Sequence, residues 1–160
     1  MSSFDKNKYE ESKKKADTFF QKNKIIKSAC FGEVRLNSDG FFHLINKNEK
    51  HKRDWKQQMK RFQLLPYVKT VLEGMKFYQE YLEILEDVKI KDHGVIKSAR
   101  KCVRYWAFIA VIEDKIRVKV VLKKVGEGSV IFWSIIPYWD TTDYKGIKFA
   151  TLDKGNLAED

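Results

Sequence analysis

Residues 103–136 read VRYWAFIAVIEDKIRVKVVLKKVGEGSVIFWSII. Val103 to Ile112 is rich in β-branched and aromatic residues, and Ile116 to Leu122 alternates apolar with basic ones, as strands do. Gly126-Glu127-Gly128 makes a turn, Val130 to Ile136 is apolar again, and Pro137 ends the run. Connections this short force antiparallel neighbours. Downstream, Ile147 to Leu152 is a weaker last strand. Upstream, GEVRLN (32–37) and FFHLIN (41–46) flank Ser38-Asp39-Gly40 and predict a hairpin. Before it, Tyr9, Ala16, Phe19, Phe20 and Ile26 mark a sparse stripe on a helix over Asp5 to Ile26, which either docks or projects. Trp55, Met59 and Phe62 give a basic helix over Glu49 to Phe62. Pro66 opens another that runs to about Glu73. Phe77, Tyr81, Ile84 and Leu85 predict a further helix over Met75 to Asp87. The expected class is α+β: a curled antiparallel sheet with N-terminal helices packed on one face.

The chain has 160 residues, room for one domain of ordinary size. The division expected is a helical extension over residues 1–28, a single α+β domain over 29–152 and a flexible tail over 153–160. Hydrophobic residues make up 43%, which is enough for a core and argues against global disorder. No apolar run nears the roughly 20 residues of a membrane helix, and MSSFDKNKYEESKKK lacks the apolar centre of a signal peptide. Cys30 and Cys102 sit in no CxxC motif and near no His at metal spacing, and read as reduced thiols. The expectation is a cytoplasmic protein, or one delivered to a target cell, without membrane contact.

Charge is the strongest compositional signal. Lys and Arg total 32 against 22 acids, for a net charge of +10, and such a surface seeks a polyanion. The bases are segregated. Lys47 to Arg61 holds seven with two acids, Lys89 to Arg104 six with one, and Lys115 to Lys124 five with none. Thr70 to Val88 holds five acids against Lys76, and Asp140 to Asp160 also leans acidic. That pattern predicts a positive face and a negative back.

Three histidines occur, His43, His51 and His93, and no two are spaced as a metal pair, so no metal and no cofactor are expected. His43 lies between apolar neighbours, as an ordinary strand histidine would. Arg117, Lys119 and Lys123 share parity and line one face of a strand. Ser134 is the one hydroxyl in the partner strand. If the turn sets Val125 opposite Val130, Ser134 joins the face of Arg117 and Lys119; if opposite Ser129, it faces away. A row of cations beside a hydroxyl suits a phosphodiester, because cations stabilise charge as it develops on phosphorus.

Four stretches carry a family resemblance: GEVRLNSDGFFHLI with its aromatic-His-Leu motif, RFQLLPYVKTVLEG, RYWAFIAVI, and IRVKVVLKKVGEGSVIFWSIIPYW. Over Gly32 to Trp139 the chain resembles the phage-associated branch of the barnase–EndoU–colicin–RelE-like nuclease superfamily, small ribonuclease domains that often act as toxins of phages and conjugative elements. The resemblance implies metal-independent RNA cleavage by attack of a 2′-hydroxyl, leaving a 2′,3′-cyclic phosphate. It casts His43 as acid or base, Arg117 and Lys119 as transition-state cations, and Ser134 as a positioner. His51, Arg53, Arg61 and Lys123 become nucleic-acid contacts. Trp133, Tyr105 or Trp106 stacks a base. A second histidine of a general acid–base pair is not evident. RNA is the expected partner of a monomer, with an acidic antitoxin or immunity protein covering the basic face. The alternatives are a non-catalytic nucleic-acid-binding module of a mobile element, and a protein-interaction domain docking through an acidic helix over Glu73 to Asp87.

Overall fold

The computed structural model describes residues 3–112, 116–137, 141–144, 147–150 and 156–160. In chain order the elements are α1 (Lys6–Lys22), β1 (Ile25–Ser28), β2 (Gly32–Arg35), α2 (Ser38–Ile45), α3 (Trp55–Leu64), α4 (Pro66–Gly74), β3 (Glu80–Asp92), β4 (Val95–Ile112), β5 (Ile116–Val125), β6 (Ile131–Pro137), β7 (Thr141–Tyr144) and β8 (Ile147–Ala150). Strands β1 to β6 form one open sheet in the order β1-β2-β6-β5-β4-β3, and β7 pairs with β8 separately. The α+β class and the N-terminal position of the helices are as the sequence predicts. The sheet, however, is mixed: β2 lies parallel to β6, joined at Arg35–Ile131, while every other pairing is antiparallel.

The helices cover one face. Phe20, Phe62, Leu65, Val68 and Leu72 pack there against Phe108, Val118, Val120, Leu122, Phe132 and Ile135. The first helix docks rather than projects, because Tyr9, Ala16 and Phe20 enter this same core. Asp5 caps it, accepting from the Asn7 and Lys8 amides. It stops at Lys22, and Ile25 and Ile26 of the expected helix belong to β1. A smaller cluster on the opposite face unites Val103, Tyr105, Ala107, Val121 and Leu157.

Two local expectations fail for identifiable reasons. FFHLIN is helix, not strand. The Asn37 side chain accepts from the Asp39 and Gly40 amides at 3.1 and 3.2 Å, an N-cap worth about 1 kcal/mol, so Ser38-Asp39-Gly40 begins α2 instead of turning a hairpin. The helix then packs directly on β6: a Cβ placed on Gly40 would stand 2.3 Å from the Phe132 carbonyl oxygen. The expected helix over Met75 to Asp87 is also replaced, by β3. Leu82, Ile84, Val88 and Ile90 alternate with more exposed residues, a period of two that overrides the looser helical spacing. The acidic helix of the protein-docking alternative is therefore absent, and Glu83 and Glu86 point from opposite faces of a strand.

Candidate anion site at the edge of the sheet

Since β6 meets β2 at one residue pair, the rest of its edge is covered by α2 and α3 instead of a strand. Side chains from those helices thereby reach round the edge towards β5. The decisive local feature is a bulge. Near the turn, Lys123 pairs with Ile131 and Leu122 with Phe132, the register that continues to Val125 opposite Ser129. Beyond it, Val121 pairs with Ser134 and Val120 with Ile135, the register of the other alternative. The one-residue shift leaves Trp133 and Ser134 together opposite Val121. Both registers considered from sequence thus occur, one on each side of the bulge, and Ser134 lies on the face of Lys119.

Around Ser134 the predicted residues converge with the 156–160 segment. Arg61, from α3, donates to the Ser134 hydroxyl and to the Asp160 main-chain oxygen. Ser134 Oγ donates to that same oxygen at 2.7 Å. Lys119 is 1% exposed, and its Nζ lies 2.8 Å from Asp160 Oδ2 and 2.8 Å from Glu80 Oε2. Arg53 donates to the Glu159 carbonyl at 2.9 Å, and Lys47 pairs with the Glu159 carboxylate at 3.3 Å. Four cations of the expected set, Arg53, Arg61, Lys119 and Lys123, are grouped here with Ser134, His43 and Trp133. Outward from Arg53 and Arg61, a groove of about 580 Å³ adds Lys47, Lys56 and Lys60, with no carboxylate among its lining residues.

His43 sits on α2, fully buried, stacked on Trp133 at 4.0 Å between ring centroids. Its Nε2 lies 3.1 Å from Arg53 Nη2. A guanidinium can only donate, so Nε2 holds the lone pair and the ring is neutral with its proton on Nδ1. Burial, then the charges of Arg53, Arg61 and Lys123, push its pKa down to about 2 against a main-chain hydrogen bond with Asp160. In this arrangement the neutral His43 ring is a hydrogen-bonding wall of the site, its Nε2 facing Arg53. Burial also pushes Arg61 down, to about 9, helped by Arg53 and opposed by Asp160; it stays charged at neutral pH. For Lys119, burial alone would lower the pKa, but its bonds to Asp160 and Glu80 outweigh that and raise it. Burial lowers Lys123, whose Nζ stands 3.8 Å from the Trp133 ring centroid.

Not every expected residue joins. His51 is exposed in the α2–α3 loop, its Nδ1 3.0 Å from Asn48 Oδ1. Arg117 lies two residues along β5 from Lys119 and has a buried Nη1 without a hydrogen-bond partner among the described residues. Tyr105 and Trp106 are core residues on opposite faces of β4, each packed in one of the two hydrophobic clusters. Trp133 already carries His43 and Lys123 on its ring. Residues 153–160 were expected as a flexible tail; 153–155 lie outside the described residues, and 156–160 form a docked turn. Glu80 and Asp160 were missed. The only sequence signal for Asp160 is an acidic segment in a basic chain; for Glu80 it is the alternation of β3. Among the described residues no three His, Cys, Asp or Glu side chains are grouped as a metal site requires, and no helix is long and apolar enough to cross a membrane. Comparisons with protein-family models, curated proteins and solved structures give no match to this chain.

Proposed function

We propose that this protein binds a nucleic-acid backbone, RNA in the first instance, by seating a phosphate among Arg53, Arg61, Lys119 and Ser134. The observation that carries this reading is the set of bonds to Asp160. A carboxylate and a main-chain oxygen together receive one lysine, two arginines and one serine hydroxyl, the donors that a phosphodiester's two unesterified oxygens would also engage. The adjacent groove, with Lys47, Lys56 and Lys60, continues the positive surface for the neighbouring phosphates. Since Trp133 has its ring occupied, contact is made through the backbone and discriminates little between bases.

A second reading, metal-independent endoribonuclease activity, is favoured by one observation. Glu80 Oε1 is buried beside Lys119 with no hydrogen-bond partner among the described residues. In a cleaving site that oxygen takes the 2′-hydroxyl proton, the hydroxyl oxygen attacks phosphorus, and Lys119 and Arg61 stabilise the charge on the phosphoryl oxygens. The leaving 5′-oxygen then takes a proton from solvent or from a group brought by the substrate. Fluorescence anisotropy with a labelled single-stranded RNA tests binding; a gel assay in EDTA, with product ends checked for cyclic phosphate, tests cleavage. No binding at low salt overturns the first reading. Binding without cleavage across varied RNAs overturns the second.

A further inference from the structure

Residues 156–160 form a compact acidic turn, closed by Glu159 and Asp160 amides donating to the Asn156 carbonyl at 3.0 and 2.8 Å. It is held in two distinct ways. Leu157, 4% exposed, fills the smaller core cluster beside Val103, Tyr105 and Val121, and Trp133 Nε1 donates to the Ala158 carbonyl at 3.1 Å. Beyond that anchor, among the described residues, the polar contacts of Glu159 and Asp160 outside their own turn are made to a cation, to Ser134 or to His43. An ordinary structural strap needs only the apolar anchor. This one also sets the Asp160 carboxylate on Lys119 and the Asp160 main-chain oxygen on Arg53 and Arg61, the place an external anion would take.

We propose that the 156–160 segment is a displaceable internal competitor: with it docked the anion site is closed, and with it released the site is open to phosphate. The inference rests on the reading of this site as one for phosphate. Charge supplies the displacement. Asp160 offers one negative carboxylate to the cluster, whereas a polynucleotide offers one charge per residue and continues along the Lys56 and Lys60 groove. Apparent affinity for an external anion falls by the fraction of molecules in the open form. A segment docked in all but about a tenth of molecules therefore weakens external binding roughly tenfold.

The test uses inorganic pyrophosphate as the probe, measured by calorimetry at low salt, on the full chain and three variants. Leu157→Ser removes the apolar anchor, Asp160→Asn keeps the shape and removes the charge, and a deletion of residues 156–160 removes both; circular dichroism establishes which are folded. Pyrophosphate should bind the deletion and Leu157→Ser about tenfold more tightly than wild type, with Asp160→Asn shifted in the same direction. The acetylated peptide Asn-Leu-Ala-Glu-Asp, added to the deletion variant, should compete with the probe. If the deletion fails to fold, the two full-chain substitutions decide the matter. Equal pyrophosphate affinity in wild type and every folded variant overturns the competitor. Labelled RNA run in parallel separates the two readings. Tighter pyrophosphate with no RNA binding by any variant keeps the competitor and overturns nucleic-acid binding. RNA bound by all of them, with pyrophosphate affinity equal throughout, overturns the competitor alone.

Discussion

Replacing Lys119 with methionine should be among the most damaging single changes to this protein's stability. The lysine nitrogen stands 2.8 Å from both Glu80 Oε2 and Asp160 Oδ2, so the two carboxylate oxygens lie within twice that distance of each other. Without the cation they face one another unscreened. Two unit charges ~5.6 Å apart at an effective dielectric of ~20 repel by about 3 kcal/mol. Breaking a buried pair by removing one partner costs about 3–5 kcal/mol in general. The lower end applies here, because the Glu80 and Asp160 side chains stay 17% and 16% exposed and keep some contact with water. For a chain of this size each kcal/mol moves the midpoint by about 2–4 °C, so Tm should fall by roughly 6–12 °C. Adding Glu80→Gln to Lys119→Met should recover part of that loss, since one of the facing charges is gone. The pH dependence has a definite sign. Lys119's folded pKa is raised above the ordinary lysine value of 10.5, so its contribution is fully present below 10.5 and is lost only as pH climbs through the raised value. Alkaline melts should converge, with wild type losing stability where the variant has none of this term to lose. Thermal melts by circular dichroism across pH 6–11 measure all of this. A midpoint drop under about 2 °C at pH 7 would refute the reasoning, as would a double variant no more stable than the single.

Other outcomes follow from the same structure. His43 has a folded pKa near 2, below its ordinary 6.5, so the unfolded chain binds a proton first and stability falls by about 1.4 kcal/mol per pH unit as pH drops from 6.5. His43→Gln should flatten that slope in urea melts between pH 6 and 4; an unchanged slope would exclude the neutral buried imidazole. Gly40→Ala, whose Cβ would meet the Phe132 carbonyl at 2.3 Å, should cost about 1–3 kcal/mol by pushing α2 off β6, whereas Gly74→Ala, with nothing within 4 Å, should not show such a clash penalty in the same melts. RNA affinity should fall linearly with salt on a log–log plot, and Lys56→Ala should reduce the slope by about 0.7, one single-strand phosphate contact, in anisotropy titrations.

The sequence by itself determined the β5–β6 hairpin and its cationic face. Alternation along Ile116 to Leu122 leaves little freedom over which side chains of β5 share a side, and the glycine turn marks where the chain reverses. It also determined the general character of the helices, because α1, α3 and α4 are long enough for a period of 3.6 to show. Short segments were less legible. FFHLIN fits a strand or a helix by pattern, and the Asn37 cap together with the fit of Gly40 against Phe132 settles it as helix. Only the tertiary structure decided the site. The bulge at Trp133 changes the register inside one hairpin, which no local pattern announces, and it turns Ser134 towards Lys119. Glu80 and Asp160 come from distant parts of the chain and each reads as an ordinary surface charge, and nothing local shows that Arg53 and Arg61 meet them. Charges meet through space while periodicity reports only neighbours along the chain, so folding alone could show that the acidic end of this chain lies among its bases.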